Sequence, residues 1–368
     1  MAFLQRLLIR TLFICHLMLV AHTLSAQPNR IKFEHITVDD GLASNLVWDI
    51  HQDNDGFLWF ATGDGLSRYD GYEFTNFRRQ GPGSISGNSI WTIFEDQAGT
   101  IWAGTYRAGL NKFDPGTQTF THYQQETKNP NSLSHHTIAA IHESTSSPGV
   151  LWIATYGGGL NRFDTRDEVF TRYRHDPDDP NSLANNTVMS ILEDDSGTLW
   201  LGTFNGLSRM HRTHTSNERE QIFFENERHD PDDPESLRKH RITKVYRDES
   251  GNLWMGTLNS GLCLLNVETG TYSHFRNDPN DPTSLSHNSI RTIYEDRAGN
   301  LWIGTYGGGL NKMDRATKTF TRFLHDPDDP KSLSHNVVRA IFEDKSGNLW
   351  IGTYGGGVNK ICRKNFEV

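Results

Sequence analysis

Cysteine is nearly absent from this 368-residue chain, which has only Cys15, Cys263 and Cys362. No two of them share a metal-ligand spacing, so neither a zinc module nor a disulfide-stapled scaffold fits. Positive charge is in deficit: 36 Lys and Arg stand against 45 Asp and Glu, a net charge of −9. Such a surface repels phosphate backbones and disfavours nucleic-acid binding. Long, regularly periodic apolar segments of the helical kind are missing, and beyond the N-terminal leader no apolar run reaches the roughly 20 residues that span a bilayer. What the chain has instead is 33 glycines and 11% aromatic residues. That composition supports a sizeable apolar core built from short, turn-rich elements.

The first 26 residues differ from the rest. Arg6 and Arg10 precede an apolar stretch from Thr11 to Ala21, and Leu24-Ser25-Ala26 offers a cleavage point before Gln27. Residues 1–26 therefore read as a signal peptide, and 27–368 as one periplasmic or secreted domain. Losing Arg6 and Arg10 with the leader takes the charge from −9 to −11.

Internal repetition decides the fold class. Trp follows Leu or Ile at 59, 102, 152, 200, 254, 302 and 350, at spacings of 43, 50, 48, 54, 48 and 48 residues. Each Trp is followed by one apolar residue, then Gly or Ala, then Thr. Within the sixth unit, Ser289–Glu295, Leu301–Tyr306, Leu310–Asp314 and Phe320–Leu324 read as strands separated by turns at 296–300 and 307–309. Four antiparallel strands in a repeat of this length make one propeller blade. The expectation is an all-β, seven-bladed β-propeller of four-stranded antiparallel blades. The seventh unit stops near its fourth strand, and 31–36 resembles the missing piece, so the N-terminal strand is expected to close the ring. Cys263 and Cys362 then fall in non-adjacent blades, too far apart for a disulfide.

In the sixth unit Asp296, Gly299, Leu301, Trp302, Gly304, Thr305, Gly308, Gly309, Leu310 and Asp314 carry a pattern that resembles the two-component regulator propeller repeat. The segment Ile36–Asn45 resembles the start of that family's periplasmic sensors, and the likeness covers the whole mature chain. The resemblance implies a ligand-binding sensor region of a two-component system, with carbohydrate as the ligand class. It further implies a signalling partner or a C-terminal kinase or cyclase region, and the chain's end at Val368 reads as truncation before any such output. Two other classes stay open: a protein-interaction scaffold, and a sialidase- or lyase-like propeller enzyme. No set of nucleophile, paired acid and arginine triad supports the enzyme, so no catalytic residue, metal or cofactor is assigned.

The Asp-Pro-(Asp/Asn)-Asp-Pro-x-Ser-Leu motif at 176–183, 230–237, 278–285 and 326–333 could offer oxygens to calcium. It reads more simply as a rigid turn. The repeated histidines, such as His287 and His335, read as scaffold or as a solvated face. The triple glycine at 355–357 lacks the Lys-Ser/Thr of a phosphate loop.

Comparing blades separates scaffold from site. The position after the first apolar residue of strand one holds Trp48, Trp91, Ala139, Met189, Thr243, Arg291 and Arg339. Blades six, seven, one and two are consecutive in a closed ring, so Arg291, Arg339, Trp48 and Trp91 would share one quadrant of the channel. Asn45, Asn288 and Asn336 belong to the preceding connectors, and Arg107 replaces glycine in a second-to-third-strand turn. These eight residues form the candidate ligand site. Two guanidinium groups beside two indoles suit an oligosaccharide with an acidic group.

Overall fold

The computed structural model describes residues 31–214, 220–227 and 241–362. The leader 1–26 and the Asp-Pro motif at 230–237 lie outside the described residues. Seven four-stranded antiparallel sheets are arranged as blades. Their innermost strands, numbering blades 1 to 7, are Val47–Gln52, Ile90–Glu95, Ile138–Glu143, Val188–Glu193, Ile242–Arg247, Ile290–Glu295 and Val338–Glu343. Blades 1 to 6 run outward in chain order, as the repeat predicts.

The second strand of every blade is buried along its length, which is why its residues do not alternate polar and apolar. Trp302 of blade 6 packs with Val338, Ile341, Leu349 and Ile351 of blade 7. Two residues on, a Cβ on Gly304 would come within 2.7 Å of Val338, so the small residue lets the next blade approach. The indole nitrogen also needs an acceptor. Trp302 Nε1 donates to Asp296 Oδ2 at 2.8 Å, while Asp296 Oδ1 accepts the amides of Ala298 and Asn300. The turn aspartate therefore ties the hairpin to the core, and it does so in six blades. In blade 3 Ser144 takes its place, and the buried Trp152 Nε1 has no hydrogen-bond partner.

The turn into the third strand requires glycine for a steric reason. Gly309 has φ of 68°, and a Cβ there would collide with the Phe323 carbonyl.

Closure follows the expected route. Glu34–Ile36 forms the outer strand of blade 7 and pairs antiparallel with Val358–Ile361, Glu34 opposite Lys360 and Ile36 opposite Val358. Phe33 is buried among Trp302, Leu333 and Ile361. The amides of Gly355 and Gly357 donate to the Asn45 carbonyl at 3.0 and 2.9 Å, joining blade 7 to the connector into blade 1. Cys263 lies in blade 5 and Cys362 follows the third strand of blade 7, and neither is in a disulfide.

The Asp-Pro loops are double turns. Asp326 Oδ1 accepts the amide of Asp328, Asp329 Oδ1 accepts that of Lys331, and Ser332 Oγ accepts the Asp326 amide and donates to the Asp326 carbonyl. The copies at 176–183 and 278–285 repeat this arrangement. In these three copies the first- and fourth-position carboxylates accept amides of their own loop, and the closing Leu183, Leu285 and Leu333 are buried in blade cores.

Candidate functional site at the axial mouth

The innermost strands surround a central cavity of about 600 Å³, a size typical of small-ligand sites. Its most informative feature is a bulge repeated in every blade. Val47 pairs with Thr62 and Asp49 with Ala61, so Trp48 between them is skipped by the ladder. The same skip falls on Trp91, Ala139, Met189, Thr243, Arg291 and Arg339. A bulged residue makes no ladder pair and its side chain is re-aimed. All seven line the cavity.

Trp48 and Trp91 meet with ring centroids 5.3 Å apart. A second tier of aromatics escaped the sequence reading. The residue after the second-strand Thr is Tyr106, Tyr156, Phe204, Tyr306 or Tyr354 in five blades, Leu258 in blade 5 and Gly63 in blade 1. The signal was legible as an aromatic recurring after Gly-Thr or Ala-Thr, but it was absorbed into the glycine turn that follows. These rings extend the indole pair in both directions. Tyr106 stacks on Trp91 at 5.0 Å, Tyr156 meets Trp91 edge-on at 6.1 Å, and Phe204 meets Tyr156 at 5.5 Å. On the other side Tyr354 stands edge-on to Trp48 at 5.9 Å.

The arginines complete the arc. The Arg339 guanidinium lies 4.3 Å from the Trp48 ring centroid and 5.5 Å from that of Tyr354. Arg291 lies 4.6 Å from the Tyr306 centroid. Among the described residues no carboxylate pairs with either cation, and the Nε atoms of both are buried without a hydrogen-bond partner. Trp48 Nε1 is in the same state. Burial lowers the pKa of Arg291, and burial followed by repulsion from Arg291 brings Arg339 down to about 10. Two mutually repelling cations are thus held over aromatic faces, which offset part of their charge but leave these N–H donors without acceptors.

Among the described residues Asp49 is the only carboxylate lining the cavity. It accepts from Thr92 Oγ1 at 3.1 Å, the Ile93 amide at 2.9 Å and the Ile50 amide at 2.9 Å. Burial raises its pKa. The carboxylate thus seals blade 1 to blade 2.

Four of the eight residues expected at the site, Trp48, Trp91, Arg291 and Arg339, are brought together. The other four are not among the residues lining the cavity. Asn45, Asn288 and Asn336 clamp loops: their Oδ1 atoms accept the amides of Val38, Asn277 and His325. Their carbonyls accept turn amides from the preceding blade. Arg107 sits exposed on the rim with φ of 65° and its guanidinium 4.8 Å from the Tyr106 centroid. His287 and His335 are likewise structural, each Nδ1 accepting the amide two residues on.

The repeat of the family described as "Two component regulator propeller" is matched at residues 41–64, 84–107, 182–205, 236–259, 284–307 and 332–355. The unit around Trp152, whose turn lacks the aspartate, lies outside these stretches. The extracellular domain assigned to the hybrid two component system BT3049 of B. thetaiotaomicron superposes with a TM-score of 0.73 at 30% identity. The match covers 90% of this chain and 42% of that one. Histidine kinase P4 of Formosa agariphila is 40% identical over 67 residues, 18% of this chain and 5% of the kinase. A streptogramin B lyase matches with a TM-score of 0.60 at 15% identity, covering 90% of this chain and 96% of the lyase, and shares the fold alone. Among the described residues no helix is long and apolar enough to cross a membrane. The propeller resembles extracellular sensor domains of hybrid two-component systems, and six of its seven units carry the two-component regulator propeller repeat.

Proposed function

We propose that this propeller is the ligand-binding part of an extracellular sensor, that it performs no catalysis, and that its axial mouth takes a carbohydrate bearing an acidic group. The observation that carries this reading is the pair Arg291 and Arg339, half-buried over Tyr306 and Trp48 with no carboxylate partner among the described residues, in a chain of net charge −9. A uronate or sulfate would supply the missing acceptors, and a sugar ring would lie on an indole face. The leader at 1–26 fits delivery to the periplasm or the exterior. The likeness to the extracellular domain of BT3049 supports an extracellular location.

Calorimetry on the whole protein tests this with a uronate-containing disaccharide and its carboxyl-reduced neutral form. The acidic form should bind at least about tenfold tighter, as expected for a charge-assisted hydrogen bond. Arg291→Ala with Arg339→Ala should remove that preference while leaving the melting temperature within a few degrees. Equal affinity for both forms, or binding of neither, rejects the reading.

A further inference from the structure

The cationic lining does not stop at the two bulged arginines. Arg241 and Lys244 also face the cavity, and both belong to blade 5, next to Arg291 of blade 6. Arg241 immediately precedes the innermost strand, its guanidinium 5.4 Å from the Phe204 centroid, and it is exposed at the rim. Lys244 lies three residues further along the strand, beyond the bulge at Thr243. Among the described residues, four cations therefore line the cavity from three consecutive blades, against the single carboxylate of Asp49. Lys244 is felt electrostatically by Asp49, but that carboxylate already accepts three hydrogen bonds from its own strand and blade 2. No hydrogen bond or ion pair to the Lys244 ammonium is formed among the described residues.

The other flank has the opposite character. Trp48, Trp91, Tyr156 and Phe204, from blades 1 to 4, present aromatic surface. The lining cations thus all come from blades 5 to 7, whereas Trp48, Trp91, Tyr156 and Phe204 belong to blades 1 to 4. A ligand with one anionic group would engage Arg291 and Arg339 and leave Arg241 and Lys244 unanswered.

We infer that the axial site is built for a ligand with two anionic groups on one edge, the first held by Arg291 and Arg339 and the second by Arg241 and Lys244, with its ring seated toward Trp48 and Trp91. This rests on the acidic-carbohydrate reading and deepens it by fixing the number and placement of the charges.

The test uses a uronate–N-acetylhexosamine disaccharide in three forms: sulfated on the hexosamine, unsulfated, and unsulfated with the carboxyl reduced. Titration calorimetry on the whole protein should rank them in that order, with about a tenfold gain for each anionic group. Arg241→Gln with Lys244→Met should weaken the sulfated form to the affinity of the unsulfated one and leave the unsulfated form unchanged. Thermal melts of the variant, matching wild type within a few degrees, exclude misfolding. If wild type binds the sulfated and unsulfated forms equally, or prefers the unsulfated one, the two-anion inference fails while the single-acid reading stands. If the carboxyl-reduced form binds as well as the unsulfated acid, the underlying reading fails first.

Discussion

A buried indole is a large apolar surface with one polar atom, and six blades answer that atom with a carboxylate that also pins a turn. Blade 3 does not: Trp152 is 1% exposed, as Trp102 is, but its N–H has no acceptor. Each ring also has a cation over it, Lys112 at 5.7 Å from Trp102 and Arg212 at 5.2 Å from Trp152, so the main polar difference between the two is this hydrogen bond. Trp102→Phe deletes the donor to Asp96 Oδ2 and leaves a carboxylate that is 9% exposed short of a partner. Trp152→Phe deletes a donor that was already unpaired. Both lose similar apolar area, so the difference isolates the hydrogen bond. Trp102→Phe should cost about 1–3 kcal/mol more than Trp152→Phe, measured by denaturant unfolding. Equal losses would mean that the aspartates serve their turns alone.

At the scale of the strand, the same Trp-x-Gly element sets the distance between blades. A methyl group on Gly304 would meet Thr292 at 2.6 Å and Val338 at 2.7 Å, one in its own blade and one in the next. Gly304→Ala should therefore cost about 1–3 kcal/mol through overpacking, and Val338→Ala in the same chain should recover part of it. An unchanged midpoint in the single variant would show that the blades slide freely. This contact was legible beforehand, because bulky Trp and small Gly recur two residues apart on one face. The bulge was not. It exists only as a mismatch between two strands, one residue of Val47–Asp49 too many for Thr62 and Ala61, and a single strand's sequence carries no record of its partner's count. Sequence comparison still found the bulged position, since it varies where its neighbours repeat. Asn45, Asn288 and Asn336 repeat for the converse reason: each clamps a connector, the loop-capping role their repetition suggests. Arg241 and Lys244 flank the bulge at Thr243, so a comparison of bulged positions does not reach them.

The molecule as a whole depends on one short strand from the chain's beginning. A propeller with an unpaired third strand exposes backbone donors and acceptors at the edge of blade 7 and unseats the side chain that plugs its outer core. Glu34–Ile36 supplies the pairing. Phe33, 4% exposed and 6.2 Å from the Phe323 ring, supplies the plug. His35 Nε2 and the Ser332 carbonyl lie 2.8 Å apart, which fastens the strand to the connector between blades 6 and 7. Burying Phe33 is worth about 2–3 kcal/mol, and the hydrogen bonds add about 1 kcal/mol each. Together they approach the low end of the roughly 5–15 kcal/mol that holds a domain folded. Deleting residues 27–38 should therefore lower the melting temperature by roughly 5–10 °C and promote self-association through the open edge of Val358–Ile361. A synthetic peptide spanning 31–38, added in excess, should restore part of the loss because it binds only the folded, gapped ring. Calorimetric melts with and without the peptide, read beside light scattering, check all three effects. A truncated protein that melts with wild type would mean that the blades hold their ring without the clasp.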